Sequence, residues 1–303
     1  ADDARRVADR LGIDFYVWDF SQRFAEEVIG DFLSEYAAGR TPNPCLRCNE
    51  RIKFAALLEK GLALGYDAVA TGHYARLVER EHGLELRRAR DTDKDQSYVL
   101  GVLDQRQLAH SLFPLGDSLK PQVRAEAAAL GFAVAAKPDS NDICFIPDGD
   151  TAGFLADKLG AAPGRIVDIA GNHLGEHQGT FRYTIGQRKG LNLGVPSVEG
   201  RPRYVVGIDP DARQVTVGTL DDLVVDELHG IRPTWTSEPP RGRWRGKVQV
   251  RAHGEAMDAW IETRPDDVVM RLDSGCRGVA PGQYAVCYDG ERVVGSSVIS
   301  GAS

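Results

Sequence analysis

The sequence predicts an α/β domain with parallel strands, followed by an all-β half made of one or two small barrels. Two observations carry this. Over the first 71 residues the apolar periodicity runs helix, strand, helix, helix, strand, the rhythm of a doubly wound sheet. Beyond about residue 150 glycines become frequent and short runs alternate apolar with polar residues.

Taken in order, Ala4, Val7, Ala8 and Leu11 form one helical stripe that Gly12 ends. Residues 13–20 (IDFYVWDF) are aromatic and β-branched, and predict a strand. A helix over 24–38 places Phe24, Val28, Phe32 and Tyr36 on one face. The loop RTPNPCLRCN follows, then a helix over 49–64 that Gly65 ends, and a buried strand over 67–71. A nucleotide-binding α/β domain normally opens with a strand and a glycine-rich turn, and this chain opens on a helix. Either the first βα units lie upstream of residue 1 or the domain never had them. Thr151–Leu159 predicts a helix, and 204–208, 214–217 and 247–251 predict strands. Residues 284–288 and 292–299 flank Asp289-Gly290, a hairpin signal.

With 303 residues, 42% apolar and 27% charged, the chain is long enough for two or three domains. No run nears the roughly 18 apolar residues of a membrane helix, and the charged opening ADDARRVADR is not a leader, so a cytoplasmic protein without a membrane partner is expected. Five cysteines, an odd number, argue against a disulfide scaffold. The net charge of -7 speaks against a general nucleic-acid coat but leaves room for a local basic face.

The sharpest local feature is Thr41-Pro42-Asn43-Pro44-Cys45-Leu46-Arg47-Cys48-Asn49. A thiol at the helix start beside Arg47 is expected to have a lowered pKa and so more of the nucleophilic thiolate. Half of a structural zinc site is the plainer alternative, but no second CxxC supplies the other ligands. Cys144 lies in a proline-bounded turn over 138–147, where a lone cysteine is more often a buried apolar filler than a reactive thiol. Cys276 and Cys287 read as packing residues of the β half. Thr71-Gly72-His73-Tyr74 follows a strand directly, where open α/β sheets bind ligands. Asp93, Lys94, Asp95 and Gln96 fit either a solvated helix cap or a phosphate contact. The stretches 178–198 (Arg182, Arg188, Lys189) and 241–254 (Arg241, Arg243, Arg245, Lys247, Arg251, with Trp244 and His253) hold no acid between residue 178 and Val198 or between Arg241 and Gly254. They predict a polyanion face with room for stacking, against the plainer reading of a solvated surface.

TPNPxxxCN with Ile52-Lys53-Phe54, ATGHYA (70–75), KDQSYVL (94–100), ICFIP (143–147), YTIGQRKGL (183–191) and PGQYAVCYDG (281–290) stand here in one order. Together they resemble the bacterial tRNA-specific 2-thiouridylase (MnmA) family over essentially the whole chain. The resemblance implies a Rossmann-like PP-loop domain, truncated here because the SGGVDSS loop is absent, over 1–147. It implies a central tRNA-binding domain over 148–217 and a C-terminal β-barrel over 218–303, with 113–136 a candidate to pack with the central domain. It implies ATP with Mg2+, adenylation of a wobble uridine, and sulfur delivery from a cysteine persulfide, with a second cysteine completing release through a disulfide. Cys48 matches the nucleophile and Cys144 the persulfide carrier. Gly72 matches an ATP contact; Asn43, Pro44 and Cys45 match the segment meeting the target base. His73, Lys94, Asp95, Gln96, Arg251 and Gln283 match tRNA contacts. A persulfide donor such as a cysteine desulfurase or relay protein is implied as partner.

Many members carry an acid/base Asp where Cys45 stands, so the role of that position is left open. Two alternatives follow: a [4Fe–4S] cluster on Cys45, Cys48 and Cys144, or a non-catalytic tRNA-binding fragment. Without the phosphate loop, no productive ATP turnover is expected.

Overall fold

The computed structural model describes residues 2–81, 83–137, 143–193 and 200–303. The first helical stripe forms a helix over Asp2–Leu11, with Asp2 and Asp3 in its first turn and Arg10 in its last, each matched to the helix dipole. Residues 13–20 are not a strand. A strand exists through a neighbour's backbone, and no described residue pairs with this segment; Ile13, Tyr16 and Val17 stand 60%, 64% and 64% exposed.

The second helix runs continuously through Ser21–Phe24, Ala25–Ile29 and Gly30–Ala37, and buries Val28, Phe32 and Tyr36. The third begins earlier than expected. It spans Pro44–Cys48, Asn49–Ala56 and Leu57–Ala63, so both cysteines of the CxxC lie inside its first five residues rather than in a loop. Asn43 is its N-cap: the side-chain oxygen accepts from the Cys45 N–H at 3.1 Å, and Pro44 occupies the first helical position, where its missing N–H costs nothing.

The strands are β1 Val69–Ala70, β2 Ala75–Arg80, β3 Gly83–Arg88, β4 Ser111–Leu112, β5 Gly164–Asp168, β6 His173–His177, β7 Tyr204–Asp209, β8 Gln214–Gly218, β9 Val224–Trp235, β10 Gly242–Gln249, β11 Met257–Thr263, β12 Asp267–Arg277, β13 Tyr284–Asp289 and β14 Arg292–Ala302. Among the described residues, only β1 and β4 represent the parallel sheet of the N-terminal part, as a two-residue ladder. The middle of the chain forms a four-stranded sheet ordered β6-β5-β8-β7, in which β5 and β8 run parallel.

The C-terminal strands follow the order β13-β10-β11-β12-β9-β14, and the β13–β14 pairing closes them into a barrel. Its interior is filled by Leu228, Val248, Ile261, Met270, Val294 and Ile299, all at 0% exposure. The hairpin β2–β3, expected to belong to the N-terminal domain, extends this same sheet through the pairing of Arg87 with Arg292. A shared core of Leu46, Phe54, Leu86, Tyr98, Leu100, Val286 and Tyr288 fuses the CxxC helix to the barrel wall. Residues 113–136, a candidate to pack with the central domain, have contacts elsewhere: Phe113 packs on Phe54 and His73, Lys120 donates its N–H to Asp91, and Gly131 lies against Arg10.

Candidate active site: three thiols at a helix start

Three separate parts of the chain meet at the start of the CxxC helix. The barrel seats the loop that enters it. Thr41 N–H donates to the Pro281 carbonyl at 2.7 Å, and the Gln283 side-chain NH2 donates to the Thr41 carbonyl at 2.6 Å. Gly282 makes this approach possible: its φ is +90°, and a Cβ there would lie 3.0 Å from both Arg40 Cβ and Thr41 N. Thr41 also meets Thr184 of the YTIGQRKGL segment at 3.4 Å between hydroxyls.

The turn carrying Cys144 is fixed from the other side. Phe145 packs edge-on against Phe32 and Phe24, with ring centroids 5.3 and 5.8 Å apart, and tilted against Phe154 at 5.7 Å. Ile146 is buried with Phe32, Tyr36, Leu155 and Phe181. Because the neighbours of Cys144 point into this cluster, the thiol itself is left exposed. Residues 138–142 of that turn lie outside the described residues.

Cys45 and Cys48, three apart on the helix, share a face, and Cys144 acts electrostatically on both. Cys144, 99 and 96 positions further along the chain, therefore lies within electrostatic reach of both thiols. The expected fall in thiol pKa is not found. Burial raises Cys45, and Cys144 adds to it while Lys53 opposes; burial likewise raises Cys48, against Lys53, with Cys144 and Cys45 adding to the rise. Arg47 does not offset this, since its guanidinium turns away to Asp31 at 2.5 Å and Glu50 at 2.9 Å.

At the end of β1, Gly72 is open: an added Cβ would meet only Leu115 Cδ1, at 3.9 Å. His73 is buried at 8% exposure, with Nδ1 2.8 Å from Thr71 Oγ1 and Nε2 3.5 Å from Lys53 Nζ. Burial, with Lys53 beside it, depresses its pKa to about 4, so the imidazole is neutral. Lys53 was absent from the expected site residues. The signal for it lay in the helix, five positions beyond Cys48.

Other expected contacts have structural work. Both oxygens of Asp95 are used: Oδ1 accepts from the N–H groups of Ala89 and Ser97, and Oδ2 from the Ser97 hydroxyl and Arg88. Gln96 exchanges two hydrogen bonds with the Tyr74 backbone, next to His73. Lys94 is exposed, and Arg251 donates to the carbonyls of Arg277 and Gly278.

The acid-free stretch 241–254 is not an unopposed basic face. The register places Asp258 opposite Lys247, which it pairs at 3.1 Å, and Asp273 pairs Arg245. Trp244 is a buried packing residue rather than a stacking platform. By contrast Arg182, Arg188 and Lys189 are exposed and, among the described residues, pair with no carboxylate. Residues 194–198 of their stretch lie outside the described residues.

Three protein-family models match the chain: a tRNA methyl transferase HUP domain over 1–148, a tRNA methyl transferase PRC-barrel domain over 152–219, and an aminomethyltransferase beta-barrel domain over 225–299. The HUP match starts at residue 1 and lends no support to the expectation of a truncated, inactive domain. Among curated relatives, the tRNA-specific 2-thiouridylase MnmA of Acidothermus cellulolyticus is 62% identical over 300 residues, covering 99% of this chain and 83% of that protein. That of Cutibacterium acnes is 62% identical, covering 99% and 82%, and that of Streptomyces coelicolor 59%, covering 98% and 80%. With that identity over nearly its full length, the chain belongs to the tRNA-specific 2-thiouridylase family.

Proposed function

We propose that the protein is a tRNA-uridine 2-sulfurtransferase in which Cys144 carries sulfur as a persulfide and Cys48 is the nucleophile that releases it. The observation carrying this reading is the convergence of the Cys144 turn and the CxxC helix, since two thiols must act on one sulfur. ATP with Mg2+ is the activating cosubstrate, and when bound it supplies the adenylate that makes the uridine O2 a leaving group. Gly72, with open space at the end of β1, is the position offered to it.

The chain's own residues divide the remaining work. Asn43 and Pro44 fix the helix start and with Cys45 present the floor on which the target base would rest. Exposed Arg182, Arg188 and Lys189, tied to that floor through Thr184 and Thr41, offer charge to the tRNA backbone. His73, Lys94, Asp95, Gln96, Arg251 and Gln283 are proposed on the family resemblance as further tRNA contacts, Asp95 and Gln283 chiefly by holding backbone in place. A cysteine desulfurase or relay protein would load Cys144, whose exposure suits delivery from a second protein.

The [4Fe–4S] alternative is not carried forward. The three thiols share one electrostatic neighbourhood, but no three of His, Cys, Asp and Glu among the described residues are gathered closely enough to hold a metal ion. No step is routed through a cluster.

The test is thiolation of tRNA by wild type, Cys144→Ser and Cys48→Ser with a desulfurase as donor. Both variants should lose 2-thiouridine formation by more than 100-fold on the order expected for removing a covalent nucleophile. Retained activity in Cys144→Ser would end the persulfide assignment.

A further inference from the structure

Negative charge on any sulfur of the cluster is opposed by its neighbours, because Cys45 and Cys48 each feel Cys144. Among the described residues one cation acts on both. It is Lys53; Arg47 is committed to Asp31 and Glu50, and Arg51 to Glu50 at 3.2 Å. Lys53 itself pairs with no carboxylate among the described residues.

The helix explains how Lys53 reaches the thiols. In a regular α-helix residue 53 points well round the axis from residue 48. Here Asn49–Ala56 is wound with i→i+5 hydrogen bonds, as where the Leu57 N–H meets the Ile52 carbonyl. In that winding residues five apart stand about one turn apart, so Cys48 and Lys53 come to share a face.

His73 fixes the ammonium without cancelling it. An ammonium only donates, so Nε2 of His73, 3.5 Å away, is the acceptor. The ring proton then sits on Nδ1 and is donated to Thr71 Oγ1 at 2.8 Å. A carboxylate in the same place would have neutralised the charge. A neutral imidazole leaves it available.

We propose that Lys53 is a positioning residue for sulfur release, its ammonium held by His73 beside the thiol cluster to stabilise Cys48 as the thiolate. The inference rests on the sulfur-transfer reading above. In the step it serves, the Cys48 thiol gives its proton to water. The thiolate attacks Cys144 Sγ in the Cys144–S–S–C2 linkage to the base. The Cys48–Cys144 disulfide forms, the bond from Cys144 Sγ to the transferred sulfur breaks, and the electron pair leaves on the sulfur of 2-thiouridine. A dithiol reductant then restores both thiols. The groups facing Cys48 are Cys45 and Lys53 on its own helix and Cys144 on the opposite turn; His73 faces Lys53 from the end of β1.

The test is peptide-resolved alkylation of Cys48 by iodoacetamide across pH, in the full chain without tRNA or ATP. Lys53→Met should move the Cys48 midpoint up by about one unit, so that alkylation below it slows about tenfold. Lys53→Arg, which keeps the charge, should stay within about twofold of wild type. Lys53→Gln is the second neutral variant should Lys53→Met not fold. In either neutral variant the His73 imidazole midpoint, followed by NMR, should rise because a neighbouring cation is gone. Unmoved Cys48 and His73 midpoints in a folded neutral variant, or an arginine variant as slow as the neutral ones, would overturn the proposal. Thiolation plays no part in this readout, so such a result would remove Lys53 and leave the sulfur-transfer reading standing. Failure of Cys144 to carry sulfur, with the midpoints shifted as expected, would do the reverse.

Discussion

Replacing Phe145 with alanine should uncouple the two halves of the site without touching either reacting thiol. Phe145 is half-buried and sets its ring against Phe24, Phe32 and Phe154 at centroid distances of 5.8, 5.3 and 5.7 Å. Each aromatic pair is worth roughly 0.5–1.5 kcal/mol beyond area burial. Truncating a half-buried ring with three such partners should cost about 2–4 kcal/mol. Most of that loss falls on the local docking of residues 143–147, because Ile146 and Leu155 still hold the following helix. If about 2 kcal/mol of docking is lost, the effective concentration of Cys144 at Cys48 should drop about 30-fold. The assay is the equilibrium between the reduced thiols and the Cys48–Cys144 disulfide in glutathione redox buffers, resolved by peptide mapping. An effective concentration equal to wild type in a folded Phe145→Ala protein would refute the claim that this ring cluster presents Cys144.

Gly282→Ala forces a side chain into a φ of +90° and to 3.0 Å from Arg40 and Thr41, so unfolding free energy should fall by about 1–3 kcal/mol, as urea denaturation would record. Asp95→Asn removes the charge facing Arg88 and disturbs acceptors for Ala89 and Ser97; with the carboxylate only 8% exposed, a loss of about 3 kcal/mol is expected in the same measurement. His73 supplies a pH dependence. Its folded pKa, about 4, lies below the ordinary 6.5, so the folded state resists protonation: stability is complete above pH 6.5 and is lost as pH falls toward 4, by about 3 kcal/mol. Urea midpoints of wild type and His73→Phe at pH 7 and pH 4 should differ in slope accordingly, and parallel slopes would contradict it.

The legible parts of the sequence were those whose signals are local. The two prolines of the NPCLRC run marked a helix start close by, but at residue 49; capping by Asn43, with Pro44 at the first helical position, starts it five residues earlier. The Asp289-Gly290 turn between β13 and β14 and the helix over Thr151–Leu159 formed where their signals lay. What was hidden depends on partners far along the chain. The β2–β3 hairpin joins the barrel through residues 87 and 292, a pairing no local pattern encodes. Residues 13–20 carry strand chemistry, but chemistry without a neighbouring backbone forms no ladder. Basic residues of β10 looked free in sequence because the acids opposing them sit on β11 and β12.

The site shows the same division. Cys45 and Cys48 stood out from their turn and Cys144 through the family resemblance, yet the expected direction for the two CxxC thiols was wrong. Nearness to a helix start and to Arg47 argued for a lowered pKa, while partial desolvation raises Cys45 and Cys48 and Arg47 turns toward Asp31 and Glu50. Lys53 went unnoticed because α-helical spacing puts it off the Cys48 face, and only the i→i+5 winding of Asn49–Ala56 returns it.

In the proposed reaction Cys48 and Cys144 act in turn on one sulfur atom. A single turnover with Cys144 loaded by a cysteine desulfurase, quenched in acid and mapped without reductant, tests it most directly. One Cys48–Cys144 disulfide should appear for each 2-thiouridine made, with Cys45 recovered as the free thiol. Thiolated tRNA accompanied by a Cys45–Cys144 linkage, or by no disulfide at all, would contradict it.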